Sequence, residues 1–550
     1  MLDAAVDSKK PGFSLTRSNN LLVAATGLIS GGLFYFGTGL HPIWWMLWLA
    51  PILVLAIAPQ LRGGAAFLLS SIAWLIGQTN QWNYVRHYIE LPVAITVLFF
   101  VGPAVVFGFA VLFARRFLRR RSPFLAALGF PVFWVTWEYF NAILSPHSTW
   151  GNLAYTQMDF LSLVQIASIT GLWGISFIVF LFAGAAGALS SGVGKPRQRR
   201  ALTITVGFVV CAVVVFGEWR LRSIPSGEPV AVTLIAKDMQ MGVYRGSEAQ
   251  ALEVLRAYAE QIRRVTAVGT QIVVLPEKIG RVSENNLTEV DAVFSSVALA
   301  THAAIDVGLV RTTASGSFNS SRFYSAEGQP SGNYDKQHLV PGLEREQTGH
   351  ERVVLDESSG RWGLQICKDM DFPKLSREYA NEGANLMLVP AWDFDLDRWL
   401  HARMAVLRAV ENGFALARSA RDGLLTLSDN RGRILAEVAT GPDRFVSISG
   451  KVNVAREKTF YARTGDWFAW VCVAMFVILR GFNSSHARRP RKDATSTEPA
   501  WNYEAVALAG MKFSGSSNRS LFRSSCRSRK RLTHICKMTV PTERYQTSRI

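Results

Sequence analysis

The feature that most constrains this chain is the distribution of its apolar residues, which lie in long runs concentrated in the first 220 positions. Seven runs reach or approach the length that a helix needs to cross a bilayer, and one more lies far downstream. They cover residues 21–40, 43–58, 65–76, 91–114, 124–140, 169–189 and 202–219, followed by 467–482. The third run is short and needs the small and polar residues at its ends to reach across. The pattern predicts seven membrane spans, a polar domain and one closing span.

Positive charge occurs in alternate loops between these runs, which indicates their orientation. Basic residues precede the first run and follow the second, fourth, sixth and eighth, whereas the intervening loops carry few. Because basic loops stay in the cytoplasm, the polar domain is predicted to be extracytoplasmic. The net charge of +18 then reflects topology and a basic tail, and no nucleic-acid partner is predicted.

These observations divide the chain into five parts. We predict a cytoplasmic N-terminus at 1–19, a transmembrane helix bundle at 20–220, an extracytoplasmic domain at 221–460, a C-terminal transmembrane helix at 465–483 and a basic, disordered cytoplasmic tail at 484–550. Within the extracytoplasmic domain, strand-like and helix-like segments alternate, as in the amphipathic helix 247–268 between apolar strands at 230–235 and 271–275. This alternation predicts an α/β architecture, but it does not distinguish a doubly wound sheet from a two-sheet sandwich.

Three segments of this domain end in residues that form a chemically complete set. Glu277 follows VVLP, Lys336 lies in YDKQHLVP and Cys367 lies in ICKDMDFP, each after a strand-like stretch. A cysteine can attack a carbonyl, a carboxylate can take its proton, and an ammonium can stabilise thiolate and oxyanion. The position of Cys367 before a predicted helix is expected to lower its pKa. The simpler alternative is that Cys367 is a small buried apolar residue.

The five cysteines are far apart, without a CxxC pair or a His/Cys cluster. Neither a disulfide framework nor a zinc site is therefore predicted. The proposed chemistry needs no metal and no dissociable cofactor.

Four motifs give the chain a family resemblance: LPE at Glu277, YDKQHLVP, ICKDMDFP, and YARTGDW at 461–467. Together they resemble the membrane-embedded branch of the nitrilase (carbon-nitrogen hydrolase) superfamily, the apolipoprotein N-acyltransferases, over roughly residues 20–480. The last motif is the one that soluble nitrilases lack. The resemblance implies an α+β membrane protein, in which a bundle of about seven transmembrane helices precedes a nitrilase-like αββα sandwich and one C-terminal transmembrane helix.

The resemblance also implies a site and substrates. Cys367 would be the nucleophile, Glu277 the general base and Lys336 the group that stabilises the tetrahedral intermediate. Glu344 lies where the family carries another essential carboxylate, with Glu346 as a rival, and Asp369 stands where the acyltransferase usually has Glu. The implied reaction moves an acyl chain from phospholipid through a cysteine thioester to the amine of a diacylglyceryl-cysteine lipoprotein, in the bacterial inner membrane.

The chain departs from the family at several positions around this site. Lys278 and Lys368 are unusual neighbours of the proposed base and nucleophile, and the segments after Val340 and Pro390 are altered. A membrane-anchored nitrilase-type amidase, in which water resolves the intermediate, therefore remains an alternative. A third hypothesis is a non-enzymatic scaffold, but the presence of all three residues of the proposed site, Glu277, Lys336 and Cys367, argues against it. The aromatic and polar loop at 145–165 is either an interfacial belt or part of a substrate entry face.

Overall fold

A computed structural model describes residues 17–223, 227–239, 246–442, 444–455 and 457–487. Each predicted apolar run lies largely in helix. The helices of this part are α1 (Arg17–Gly37), α2 (Trp44–Ile57), α3 (Gly63–Gln78), α4 (Val93–Arg119), α5 (Pro123–Leu144), the short α6 (Leu161–Val164) and α7 (Ala167–Thr170), α8 (Leu172–Ser190) and α9 (Pro196–Arg222). The run 169–189 covers the end of α7 and most of α8. The predicted closing span lies in α15 (Trp467–Ala487).

Four of these helices are long and apolar enough to cross a membrane, within the part of the chain that the structure describes. They are Asn20–Gly37 in α1, Val93–Arg119, Leu172–Ser190 and Pro196–Arg222. Trp44–Gln60 and Trp467–Gly481 are apolar but shorter. The prediction of a region of membrane-spanning apolar helices is thus supported by their length and composition, while the count of seven spans and a closing span stays a prediction.

Proline and glycine mark the ends of several of these helices. Pro123 and Pro196 stand at the first positions of α5 and α9, where the missing N–H costs no helical hydrogen bond. Gly171 separates α7 from α8 with a φ of 66°, in the left-handed region that glycine enters readily. A Cβ at Gly171 would also lie 2.5 Å from the ring of Tyr461, so glycine permits this close approach.

The second region contains two β-sheets. Its strands are β1 (Glu228–Lys237), β2 (Ile272–Val274), β3 (Gly280–Ser283), β4 (Ala304–Thr313), β5 (Gly316–Tyr324), β6 (Pro330–Asp335), β7 (Val354–Glu357), β8 (Gly360–Leu364), β9 (Leu386–Trp392), β10 (Ala415–Arg421), β11 (Leu424–Ser428), β12 (Ile434–Ala439) and β13 (Phe445–Val454). The first sheet has the order β13-β1-β2-β4-β5-β6, with β3 paired to β4. The second has the order β12-β11-β10-β9-β8-β7. Parallel pairs β1–β2, β2–β4, β8–β9 and β9–β10 form the centres of the two sheets.

The two sheets pack face to face, with helices outside. Helices α10 (Glu248–Val265) and α11 (Leu287–Thr301) share a buried apolar cluster with one face of the first sheet, including Ile235 and Val273. Alternate residues such as Val232 and Leu234 point to the other face and join a core with Leu416 of the second sheet. Helices α12 (Pro373–Asn381) and α13 (Arg398–Asn412) contribute to that larger core. The architecture is therefore the two-sheet αββα sandwich, not a single doubly wound sheet.

The segment that contains YARTGDW joins the sandwich to the helical region. Asp466 accepts hydrogen bonds from Trp173 Nε1 of α8 at 2.8 Å and from the Tyr461 hydroxyl at 2.9 Å, and it pairs with Arg377 of α12 at 3.2 Å. Tyr461 lies in the short helix α14 (Phe460–Thr464). One carboxylate thus connects a membrane-region helix with the helix that follows the cysteine loop. Most of the predicted tail and most of the predicted cytoplasmic N-terminus lie outside the described residues, while residues 484–487, predicted to begin the disordered tail, continue helix α15.

Candidate active site

The three residues predicted to carry the chemistry lie just beyond strand ends. Glu277 follows β2, Lys336 directly follows β6 and Cys367 follows β8. The amide of Glu277 donates to the carbonyl oxygen of Ala391 in β9 at 3.2 Å, which ties the first sheet to the second at this point. Gly308 of β4 leaves room for this path, because a Cβ there would lie 2.3 Å from the carbonyl oxygen that precedes Glu277.

Lys336 is the centre of a buried polar cluster. Its ammonium nitrogen lies 2.9 Å from Glu277 Oε1 and 2.9 Å from Glu344 Oε2. Asn319 Nδ2 donates to the same two carboxylates, at 2.6 Å and 2.8 Å. Lys336 is 1% exposed and Glu277 is 2% exposed. The structure therefore brings Glu277, Lys336 and Glu344 together away from bulk water, where charges interact strongly.

Charge outweighs burial in setting the protonation states of this cluster. Burial alone would lower the pKa of Lys336, but the Glu277 and Glu344 carboxylates raise it well above its ordinary value. Burial would raise the pKa of Glu344, but Lys336 and Lys278 bring it below its ordinary value. At neutral pH the lysine is therefore an ammonium and Glu344 a carboxylate.

The structure also separates the two candidates for the additional carboxylate. Glu344 contacts Lys336 and lies 2.8 Å from Lys278 Nζ, whereas Glu346 pairs with Lys278 at 2.8 Å. Lys278 is 2% exposed and has a φ of 52°, so its side chain points into this charged cluster from a left-handed backbone position. The unusual lysine after Glu277 thus has a local explanation, because it neutralises the acidic pair Glu344 and Glu346.

Cys367 begins a short 3₁₀ helix, Cys367–Asp371, and not the longer helix α12, which begins at Pro373. Its φ is 43°, in the left-handed region that non-glycine residues seldom adopt. The partly buried sulfur lies 3.5 Å from the carbonyl oxygen of Trp392, at the end of β9. This geometry turns the thiol out of the strand direction and towards the ends of the neighbouring strands.

The expected lowering of the Cys367 pKa is wrong. Burial raises the pKa of the thiol well above its ordinary value, Glu277 raises it further, and Lys336 opposes both. The physical reason is that the partly buried thiol is shielded from much of the solvent and interacts with the Glu277 carboxylate, while helix α12 begins only at Pro373. In the resting site Cys367 is a thiol, so a base must remove its proton before it can attack.

Asp369 holds the cysteine loop against the end of β6. One oxygen lies 2.9 Å from both the amide and the ring Nδ1 of His338, and the other accepts from the Tyr334 hydroxyl at 2.8 Å. The amide of Ile366 also donates to Asp369 at 3.2 Å. The ring of His338 stacks on Phe372, with 3.5 Å between centroids. Asp369 therefore links the segment that follows Lys336 with the segment that contains Cys367.

Sequence reasoning missed two further parts of the site. Asn319 binds both carboxylates of the cluster, and the only signal was a polar side chain within the buried middle of β5. Asp393 forms a buried ion pair with Arg418 through two contacts of 3.0 and 2.5 Å. It directly follows Trp392, whose carbonyl oxygen accepts a hydrogen bond from the Cys367 thiol. The altered segment after Pro390 thus carries its own ion pair, which its sequence alone did not indicate.

Comparison with known proteins finds two family models that match this chain. Residues 30–185 match the family model for the apolipoprotein N-acyltransferase N-terminal domain, and residues 238–443 match the carbon-nitrogen hydrolase model. The apolipoprotein N-acyltransferase of Geobacter metallireducens is 28% identical over 63% of this chain and 72% of its own length. The one of Haemophilus ducreyi is 23% identical over 76% of this chain and 89% of its own length. Among solved structures, a carbon-nitrogen hydrolase of Helicobacter pylori has 17% identity and a TM-score of 0.35, covering 48% of this chain and 99% of its own.

Proposed function

Because the chain belongs to the apolipoprotein N-acyltransferase family, we propose that it transfers a fatty acyl chain from a phospholipid through Cys367 to the N-terminal amine of a diacylglyceryl-cysteine lipoprotein. The observation that carries the proposal is the buried ion pair of Glu277 and Lys336, whose charges both act on the pKa of Cys367. A nucleophile, a base and a cation are the groups that acyl transfer through a thioester requires.

In the first half-reaction, Glu277 takes the proton of the Cys367 thiol as the sulfur attacks the ester carbonyl of the phospholipid. The new carbon–sulfur bond gives a tetrahedral oxyanion, which the ammonium of Lys336 stabilises. The carbon–oxygen bond then breaks, and the lysophospholipid leaves with the proton returned from Glu277. The raised pKa of Cys367 supports this order, because a protonated thiol needs the neighbouring carboxylate to become a nucleophile.

In the second half-reaction, the amine of the acceptor attacks the thioester. A carbon–nitrogen bond forms, Glu277 takes the proton that the amine loses, and the carbon–sulfur bond breaks. The thiol is regenerated when the proton passes to the sulfur. Because donor and acceptor use the same cysteine in turn, the kinetics are expected to be ping-pong.

We place the sandwich outside the cytoplasm of a bacterial inner membrane, with seven spans before it and α15 after it. Two basic groups support this orientation: the arginines at the end of α4 and the basic residues that begin α9. Both lie on the side that the positive-inside rule assigns to the cytoplasm. An alkaline phosphatase reporter fused after Val265 should then be active, and the same reporter fused after Arg120 should be inactive.

The proposal is tested with the full-length protein in detergent, a phospholipid with a labelled acyl chain and a diacylglyceryl lipopeptide. Mass spectrometry should find the labelled chain on the lipopeptide amine, and no product should form with Cys367→Ala. Cys211→Ala is the matched control, since Cys211 is exposed on α9 and its loss should leave activity unchanged. Release of labelled free acid without any acylated peptide would support the amidase-like hydrolase and overturn the transferase.

A further inference from the structure

Two segments far apart in sequence meet beside the nucleophile. One is the loop that follows α5, which contains His147 and Thr149, and the other runs from Cys367 to Phe372. The ammonium nitrogen of Lys368 lies 3.1 Å from His147 Nδ1. The hydroxyl and the amide of Thr149 both donate to the carbonyl oxygen of Asp371, at 2.7 and 3.4 Å. The helical region thus binds the cysteine loop directly.

Lys368, which directly follows the proposed nucleophile, is buried and does not lie on the protein surface. It is 6% exposed, its ammonium lies 3.7 Å from the Asp371 carboxylate, and the Phe372 ring centroid is 5.8 Å from it. An ammonium can only donate hydrogen bonds, so His147 Nδ1 must be the acceptor in this contact. His147 is therefore neutral when the contact is made, with its proton on Nε2.

The backbone of Cys367 needs such support. Its left-handed φ of 43° is unfavourable for a residue with a Cβ, and such a conformation persists only where the surroundings hold it. Asp369 holds the loop from within the sandwich, through His338 and Tyr334. The Lys368–His147 contact and the Thr149 bonds hold it from the helical region.

We propose that Lys368 is a positioning residue, which through its contact with His147 lets the loop after α5 set the attack geometry of Cys367. This proposal deepens the proposed function and rests on it, because it assigns control of the acyl-transfer nucleophile to the region that meets the lipid. Lys368 and His147 do not exchange a proton with substrate in this account. Their role is to keep the cysteine loop in its strained conformation while the donor binds.

The test compares His147→Ala with His147→Asn in the full-length protein. The asparagine oxygen can take the place of His147 Nδ1 as the acceptor for Lys368, whereas alanine removes the acceptor. The alanine variant should form acyl-enzyme about 100-fold more slowly than wild type, the effect of a nucleophile misplaced by about 1 Å. The asparagine variant should recover most of that loss. His87→Ala, at an exposed histidine, is the control and should match wild type.

A second readout reports the geometry of the cysteine without any lipid. The rate at which iodoacetamide alkylates Cys367 should change in His147→Ala and return towards wild type in His147→Asn. If wild type forms no acyl-enzyme, the proposed function fails, yet the alkylation rates still decide whether His147 positions the thiol. Equal alkylation rates in wild type and His147→Ala would overturn the positioning role.

The pH dependence separates positioning from a merely structural role. Burial and the charge of Lys368 lower the pKa of His147 from 6.5 to about 4, and the Asp371 carboxylate is the other charged group at this contact. Because the pKa of His147 is about 4, the ring stays neutral and the contact stays formed well below pH 6.5, and the contact is lost only as the pH falls through about 4. The ratio of the His147→Asn rate to the wild-type rate should therefore rise as the pH falls through about 4. A ratio that stays constant would contradict the proposal.

A double-mutant cycle with Lys368→Met completes the test. If the two residues act as one contact, the loss in the double variant should be no greater than the loss in the more impaired single variant. If the losses multiply, the residues act independently and the proposal is wrong. Thermal unfolding of each variant identifies any that fails to fold, and if Lys368→Met is such a variant the cycle is repeated with Lys368→Leu, which also removes the donor to His147.

Discussion

The ammonium nitrogen of Lys336 and a carboxylate oxygen of Glu277 lie 2.9 Å apart in a buried ion pair whose two charges act in opposite directions on the same thiol. The carboxylate disfavours a thiolate at Cys367, and the ammonium favours it. In acyl transfer the two groups nevertheless work together, because one accepts the proton that the other helps to release. The opposite effects of these two charges on the pKa of Cys367 can be measured at equilibrium, independently of catalysis.

We expect Glu277→Gln to lower the pKa of Cys367 and Lys336→Met to raise it. The wild-type thiolate should appear only above the ordinary thiol value of 9.0, because burial and Glu277 raise the pKa. The measurement is the ultraviolet absorbance of the thiolate against pH, with Cys367→Ala subtracted to remove the other cysteines. Both variants should lose acyl transfer, Lys336→Met by about 10²–10³-fold as for removal of an oxyanion donor. Shifts of the same sign in the two variants would contradict this electrostatic account.

Glu344→Gln should impair acyl transfer far more than Glu346→Gln. Glu344 contacts both Lys336 and Lys278, and a charge-assisted hydrogen bond is worth about 1.5–3 kcal/mol, equivalent to about tenfold or more in rate. Glu346 pairs with Lys278, which is the residue after the proposed base Glu277. Comparing kcat/KM for the two variants checks the prediction. Equal losses of kcat/KM in the two variants would show that the different contacts of Glu344 and Glu346 have no bearing on catalysis.

Asp369→Asn should destabilise the sandwich and slow acyl-enzyme formation. The carboxylate accepts from the His338 amide and from the Tyr334 hydroxyl, and loss of its charge should cost about 1–3 kcal/mol. Tyr334→Phe removes one of these bonds and should have a smaller effect. The free energy of unfolding of the detergent-solubilised protein in denaturant measures both variants. An unchanged free energy in Asp369→Asn would exclude the linking role of this residue.

The local patterns in the sequence predicted the elements of the fold better than their contacts. Apolar runs and strand–helix alternation located the helices and strands, because burial leaves a periodic trace along the chain. Glu277, Lys336 and Cys367 were selected by motif, and each lies at a strand end in the structure. Their mutual distances could not be read from the sequence, since they depend on how two sheets pack.

Contacts between distant segments explain what was missed. Lys368 was only a departure from the family pattern until its neighbour His147, 221 residues earlier, was known. The raised pKa of Cys367 likewise follows from enclosure and from Glu277, which a local helix-start argument does not contain. Asn319 has no distinguishing motif, because its role arises from the position of β5 beside the charged cluster.

Asp466→Asn should weaken the contact between the helical region and the sandwich. It weakens three contacts at once, with Trp173, Tyr461 and Arg377. Limited proteolysis of the variant should cut the segment around Thr459 faster than in wild type, and acyl transfer should fall by about tenfold. Arg463→Gln is the control, since Arg463 is exposed in the same motif. Proteolysis at the wild-type rate would contradict the role of Asp466 in connecting the two regions.

The most direct test of the central claim is the intact mass of the protein after incubation with phospholipid in the absence of acceptor. We predict an added mass of one fatty acyl chain in wild type, sensitive to hydroxylamine and absent from Cys367→Ala. Adding the diacylglyceryl lipopeptide should remove that mass and place it on the peptide amine. A folded wild-type protein that gains no acyl mass, or that gains it equally in Cys367→Ala, would contradict transfer through this cysteine.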